Sequence, residues 1–338
     1  MNPFKQFWSA RWALGTIVLL SLKLAVAQTN SSTLYATGNK GNELLTIDLS
    51  SGAANVIGAT GYPFSLGLAF SPAGTAYTIT NMGSMTLAQL ATLDLNTGAA
   101  SLVGQPLGQS LMMMGVIVSP QGALYGGAMP SGMPPTSIYS IDTTTGLPTF
   151  VGFSGTSGEL MSFAYDPQGT LHSASPTNLY TVDLTTGNAT LVTPLSIGAV
   201  MGLAVDGDGI MYATNFVGCP PCSSVYRIDP VTGSATWLFN TGVPFVHNIA
   251  FNPGSPADQI VALEARISKM RGGISTSLDA KLSAELNAVN NQDSSTACNI
   301  SGAFQNEVDA ISGNLISNTG SQQLTFANTR LRTALDCQ

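Results

Sequence analysis

One phrase returns five times along this chain. It reads "IDLSSGAANVIG" at 47–58, "LDLNTGAASLVG" at 93–104, "IDTTTGLPTFVG" at 141–152, "VDLTTGNATLVT" at 182–193 and "IDPVTGSATWLF" at 228–239. Aligned on Asp48, Asp94, Asp142, Asp183 and Asp229, the copies are 46, 48, 41 and 46 residues apart. Periods of this size belong to propellers and solenoids, and the contents decide between them. Each unit holds a β-rich "LYTIDxxTG", a short strand such as "ATLV", a variable loop, a "GLAFSPAG" relative and then "TLYAT". That is four short strands bounded by turn residues, with no helical segment between them. Four strands per repeat of about 45 residues make a propeller blade.

The turns agree with this reading. Asp and Thr of "DLTTG" can hydrogen-bond the backbone around the bend, and Gly52, Gly98, Gly146, Gly187 and Gly233 supply a positive φ. The second hairpin of each unit uses "SPAG", "SPQG", "DPQG", "DGDG" or "NPG", where Pro or Asp starts the bend and Gly completes it. The repeat begins at "TLYATG" (33–38), a second strand, and leaves at "HNIAFNPG" (247–254), a first strand. The last piece should therefore complete the first blade and leave no free sheet edge. The expected fold is mainly β, a five-bladed β-propeller over 28–257.

From 258 to 338 the period becomes helical. Four faces stand out: Ile260, Leu263, Ile267, Met270; Leu278, Leu282, Leu286, Val289; Ile300, Phe304, Val308, Ile311; and Leu324, Ala327, Leu331, Leu335. These predict a small α-helical bundle of four helices. Cys298 opens the third helix and Cys337 closes the fourth. An antiparallel hairpin brings those ends together, so this is the first choice among the three pairings that four cysteines allow. The bond would stabilise by about 3–4 kcal/mol in the chain-entropy model. Cys219 and Cys222 form a "CPPC" in a loop between strands, where a local structural disulfide is expected rather than a redox thiol.

Residues 1–27 read as a secretory signal: Lys5 and Arg11, the apolar run "WALGTIVLLSL", then Ala25 and Ala27 as a small-x-small cleavage pattern. An uncleaved anchor is the alternative reading. Nothing further along is apolar enough to span a bilayer. Loss of Lys5, Arg11 and Lys23 would take the net charge from −7 to about −10. Only 9% of residues are charged, and Lys40 and Arg227 are the sole bases between 28 and 257. So few cations exclude nucleic acid as a partner. An even cysteine count in an exported chain favours disulfides and a secreted or periplasmic location.

The stretch "SLDAKLSAELNAVNNQDSSTACNISGAFQNEVDAISGNLIS…LRTALDC" resembles a helical module at the C-termini of secreted bacterial proteins, the FIMAH domain. The resemblance covers about 80 residues and implies an accessory role and a bacterial exported context. The repeats resemble the broad NHL/YVTN group of secreted propellers, through motifs that are structural.

Function is sought on the loops that differ between blades, since these sit on a rigid scaffold. They link strand two to three (38–43, 80–90, 128–137, 175–178, 216–224) and strand four to one (59–66, 104–113, 153–161, 193–200, 240–247). The residues entering the innermost strands are Leu66, Met114, Met161, Met201 and His247, which by register ring the channel mouth. Three thioethers and an imidazole suit a soft metal, but Met also fills apolar gaps, and neither metal nor cofactor is expected. Tyr62, Phe64, Phe153, Phe216 and Phe245 fall on the same face and could stack on a sugar or bury an apolar ligand. Glu159 is the lone acid of the four-to-one loops, so a carboxylate pair is not evident. His172 takes the place of the Tyr in "LYAT", inside a strand, and reads as a core residue. "DGDG" (206–209) reads as a plain turn rather than a calcium loop. The expectation is a non-catalytic binding module for a carbohydrate or protein ligand. An enzyme, a lyase or a glycan-acting hydrolase with its site at the mouth, is the alternative, and a structural surface component is a third reading.

Overall fold

A computed structural model describes residues 33–81, 88–108, 111–130, 136–216, 223–270 and 274–338. The Cys219–Cys222 pair and the leader lie outside the described residues.

The chain forms five four-stranded antiparallel sheets arranged as blades, as the repeat predicts. From the axis outward, blade one is Ile249–Phe251, Leu34–Gly38, Glu43–Ile47 and Ala54–Ala59. Blade two is Ser65–Phe70, Ala76–Thr80, Gln89–Leu93 and Ala100–Leu102. Blade three is Leu111–Val118, Leu124–Pro130, Ser137–Ile141 and Pro148–Phe153. Blade four is Ser162–Tyr165, Leu171–Ala174, Asn178–Val182 and Ala189–Pro194. Blade five is Val200–Val205, Met211–Asn215, Ser224–Ile228 and Ala235–Asn240. Strand 249–251 pairs with 34–38 through Leu34 and Phe251, so the last strand of the propeller closes its first blade.

The recurring phrase is the outer hairpin of each blade. Its Asp accepts the amides two and three residues on, as Asp94 does from Asn96 and Thr97. In blade one, hydrogen bonds from the Ser50 and Ser51 hydroxyls hold the Asp48 carboxyl down at about 2. The turn Gly serves two purposes. At Gly233 φ is +72°, and a Cβ would stand 1.9 Å from the Pro194 carbonyl oxygen of the preceding blade. At Gly98 it would stand 2.6 Å from the Gly58 oxygen. Blade twist carries each outer strand onto the next blade's turn. Backbone bonds such as Ala100 N to Thr60 O, 2.9 Å, and Ala189 N to Ser154 O, 2.9 Å, tie neighbours together at the rim.

Four helices follow: α1 (Pro256–Ser268), α2 (Ile274–Asn290), α3 (Ser294–Ile311) and α4 (Asn318–Ala334). Ser255 and Asp258 form a reciprocal capping box ahead of α1, with Pro256 in its first turn. The helical segment thus starts two residues before the composition shift at 258. Fifteen of the sixteen expected face residues belong to one core around Phe304, or pack against it. Ile300 is the exception. The buried face of α3 is Ala297, Ser301, Phe304 and Val308, because small residues let α2 and α4 approach where Ile300 would stand off. The Cys298–Cys337 disulfide is present and closes this core.

The bundle lies across one end of the propeller. Gln259 of α1 donates to the Pro72 carbonyl of blade two at 2.7 Å. Thr333 of α4 packs on Gly122 of blade three, and Phe326 on Gly169 of blade four. Arg266 donates to the Gly207 carbonyl, and Lys269 pairs with Asp208 at 3.2 Å, both in blade five. With α1 entering directly from the Asn252–Gly254 turn of blade one, the helices reach the inner hairpin of every blade.

Candidate functional site at the channel mouth

The variable loops frame the other end of the channel. Leu66, Met114, Met161 and Met201 form one buried cluster there, as their register predicts, and Met129 of blade three joins them. Phe64 and Met112 pack on it from the side. Local backbone features aim these side chains. Met114 and Met201 are each the extra residue of a β-bulge, skipped between Met113 and Gly115 and between Val200 and Gly202. A bulge re-aims a side chain out of the alternation of its strand. The following glycines let the next blade approach. A Cβ on Gly115 would stand 2.7 Å from the Met161 oxygen, and one on Gly202 would stand 2.9 Å from the His247 oxygen. His247 therefore follows Met201 around the ring.

Asn248 closes the ring from inside. It belongs to blade one, and its Nδ2 donates to the Met114 carbonyl of blade three at 3.2 Å. Those two blades are not neighbours, so the bond crosses the axis. The ring is thus a buried, largely apolar floor.

Three loops descend onto this floor through residues in the left-handed region: Phe64 (φ 55°), Ala199 (φ 52°) and Phe245 (φ 49°). Each stands two residues before a ring residue, namely Leu66, Met201 and His247. Bulky residues rarely adopt this conformation, and such strain concentrates at ligand clamps and active sites. Buried amides hold two of the loops. Asn81 donates to the Phe64 carbonyl at 2.9 Å, and Asn215 to the Gly198 carbonyl at 3.2 Å. The Oδ1 atoms of both are buried without a hydrogen-bond partner among the described residues.

Phe245 and Phe216, both on loops of this end, have ring centroids 5.8 Å apart and are each more than a third exposed. Lys40 lies 5.0 Å above the Phe245 ring. Burial lowers the His247 imidazole to about 4, so it is neutral at physiological pH. Its side chain makes no hydrogen bond among the described residues, while its amide donates to the Thr37 carbonyl at 2.9 Å. The site therefore offers aromatic faces, one cation and a neutral imidazole over thioethers.

The other candidates divide. Tyr62 is half-buried in the loop before Phe64, and Glu159 is half-buried in the loop before Met161. Phe153 is on the outermost strand of blade three, edge-on to Phe150 at 5.1 Å and 59% exposed, away from the floor. Its loop has the right face but the wrong radius, since strand four ends at the rim. His172 is a core residue on the helix-covered side, 3.1 Å from Asp166. "DGDG" is a turn, with Asp206 accepting the Asp208 and Ile210 amides at 3.0 and 2.8 Å. Among the described residues, no three of His, Cys, Asp and Glu come together.

Lys40 and Asn248 were not foreseen at the site. Lys40 and Asn248 carry a signal in the repeat: each occupies a blade position filled by a different residue type in the other copies.

No protein-family model matches the chain, and no curated protein matches its sequence. Among solved structures it is similar to a gluconolactonase from Xanthomonas campestris, at 17% identity and a TM-score of 0.44, over 64% of this chain and 74% of that one. It is also similar to a chain of a nidogen/laminin complex, at 11% identity and a TM-score of 0.43, over 64% of this chain and 97% of that one. Likenesses of this strength leave the functional argument to the residues.

Proposed function

We propose that this is an exported, non-catalytic binding propeller that takes a carbohydrate or a protein segment at the variable-loop end of its channel. The observation that carries the reading is the built asymmetry of that channel. Helices lie across one end, while the other exposes Phe216, Phe245 and Lys40, the last two at positive φ, on loops around the buried methionine cluster. Exposed aromatic rings held on a rigid scaffold suit stacking on sugar rings or burial of an apolar side chain. Export is supported by the signal-like leader and by the Cys298–Cys337 disulfide, which suits an oxidising compartment. Among the described residues no helix is long and apolar enough to cross a membrane. The enzyme reading would need paired carboxylates at the mouth, where Glu159 stands in a wall loop.

A thermal-shift screen against oligosaccharides tests the proposal. A ligand at 100 times its dissociation constant should add about 2.7 kcal/mol. The expected result is a shift with one sugar class that disappears in Phe245→Ala. Absence of any shift removes the carbohydrate and leaves a protein segment as the ligand. A shift that survives both Phe245→Ala and Phe216→Ala rejects the site.

A further inference from the structure

A hollow of about 440 Å³ lies between the bundle and the inner hairpins of blades one, four and five. That volume is in the range of small-molecule sites. Its charged groups are unevenly matched. Each carboxylate on its wall is engaged locally: Asp166 by His172 at 3.1 Å, Asp206 by two amides and by the Tyr212 hydroxyl at 3.2 Å, Asp208 by Lys269, and Asp258 by the Ser255 cap.

The guanidiniums are matched less fully: Asp208 is near enough to Arg266 to favour its charge but forms no ion pair with it. Arg330 of α4 has no hydrogen bond or ion pair among the described residues. Its guanidinium carbon lies 6.0 Å from the centroid of the Phe326 ring. Burial depresses Arg330 to about 10, with no carboxylate acting to raise it again. Arg266 spends Nη2 on the Gly207 carbonyl, while its Nη1 is buried without a partner among the described residues. Arg330 is half-buried, its nitrogens open to the hollow, whereas Arg266 Nη1 is out of water, and a charge so placed is costly unless an acceptor is supplied. The apolar part of the wall is Tyr165 and Phe326, with rings 5.6 Å apart, together with Phe251 and Val261, while Thr33, Asn252 and Gln259 add uncharged polar groups.

We infer that this hollow binds a small organic carboxylate, its head on Arg330 with Arg266 Nη1 as second donor and its apolar body against Phe326, Tyr165 and Phe251. Arg suits this task because its planar fork matches a carboxylate with two parallel hydrogen bonds. The site is on the opposite end of the channel from the aromatic mouth, so it stands or falls independently of the proposed function.

Titration calorimetry of the oxidised full chain with hexanoate, benzoate, sulfate and hexylammonium tests it. Hexanoate and benzoate should saturate, sulfate should bind at least tenfold more weakly, and hexylammonium should give no saturable heat. Arg330→Met should weaken hexanoate at least tenfold, with Arg330→Lys in between. Phe326→Ala should weaken hexanoate but not sulfate, and Phe245→Ala should change nothing here. Absence of saturation by either carboxylate, equal affinity in Arg330→Met, or sulfate as tight as hexanoate would overturn the inference. Should Arg330→Met fail to fold, the Arg330 Nε–H NMR signal of the unmodified protein decides. A saturable shift with hexanoate supports the site, and an unmoved signal overturns it.

Discussion

At the helix-covered end of the propeller the turns repeat a local rule, with Asp or Pro starting each bend and Gly finishing it. At the open end the loops differ in length, and three of them enter the floor through a non-glycine residue at positive φ. The same strands feed both ends, so the difference is in what each end must satisfy. The covered end needs close approach of backbone to backbone, which Gly alone permits. The open end must hold side chains in fixed positions, and it does so with strained residues, bulges and buried amides. Regularity here marks assembly, and departure from it marks the candidate site.

Two glycines of nearly equal φ separate these demands. Gly233 (φ 72°) abuts the Pro194 carbonyl, whereas Gly242 (φ 71°), in a variable loop, has open space where a Cβ would go. Gly233→Ala should cost at least about 3 kcal/mol, since backbone strain adds to a backbone clash. Gly242→Ala should cost only the left-handed penalty, about 1–2 kcal/mol. Urea denaturation of both variants measures the difference. Equal losses would mean that close approach plays no part at the covered end.

The disulfide offers the next largest effect. Replacing both Cys298 and Cys337 by Ser should remove about 3–4 kcal/mol from the bundle, as judged by region-resolved hydrogen exchange. If the bundle and propeller unfold as one unit, protection will fall at the inner hairpins as well.

Acidity should act on the two regions in opposite directions. Glu285 of α2 is fully buried in the bundle, with neither carboxylate oxygen hydrogen-bonded among the described residues. Burial pushes it up to about 7, against weaker opposing pulls from Ser301 and Arg332. Below its unfolded value of about 4.5 the group is neutral in both states and carries no penalty. As pH rises towards 7 the unfolded chain ionises first, and the bundle loses about 3 kcal/mol before the effect levels off. Glu285→Gln should flatten that loss. His247 has the opposite sign. Its neutral form is favoured in the fold, so its contribution is complete above about pH 6.5 and is lost as pH falls towards 4, by about 3 kcal/mol at most. Hydrogen exchange at pH 5 and pH 8 should therefore show a firmer bundle and a looser mouth at the lower pH. Parallel changes in both regions would contradict these assignments.

How much was legible in the sequence follows from the same division. The blades, the ring closure and the Cys298–Cys337 pairing rest on rules of spacing and turn chemistry, and each could be read directly. The ring of Leu66, Met114, Met161 and Met201 was legible because register repeats. Asn248 reaching the Met114 carbonyl across the axis was not, since its partner is 134 residues away and on a non-adjacent blade. Ile300 was placed on the wrong face because apolar periodicity favours large residues, while the α3 contact is made by Ala297 and Ser301. Phe153 illustrates the limit of face assignment, since a period of two identifies the end of a strand but not its distance from the axis.

The smallest effect is the most specific to the open end. Ala199 has φ 52° where the loop turns down to Met201, and its neighbour Gly198 is fixed through its carbonyl by Asn215. An alanine in this region costs about 1–2 kcal/mol relative to ordinary backbone, whereas glycine adopts it freely but loses more entropy on folding, by about 0.4–1 kcal/mol. Ala199→Gly should therefore stabilise the protein by about 0.5–1 kcal/mol, seen as a raised denaturation midpoint with an unchanged slope. If the strain serves to hold the loop over the floor, the same variant should loosen exchange at 196–200 and weaken any ligand at the mouth. A gain in stability with tight loops and unchanged binding would make the strain incidental and would leave the aromatic pair as the sole basis for the site.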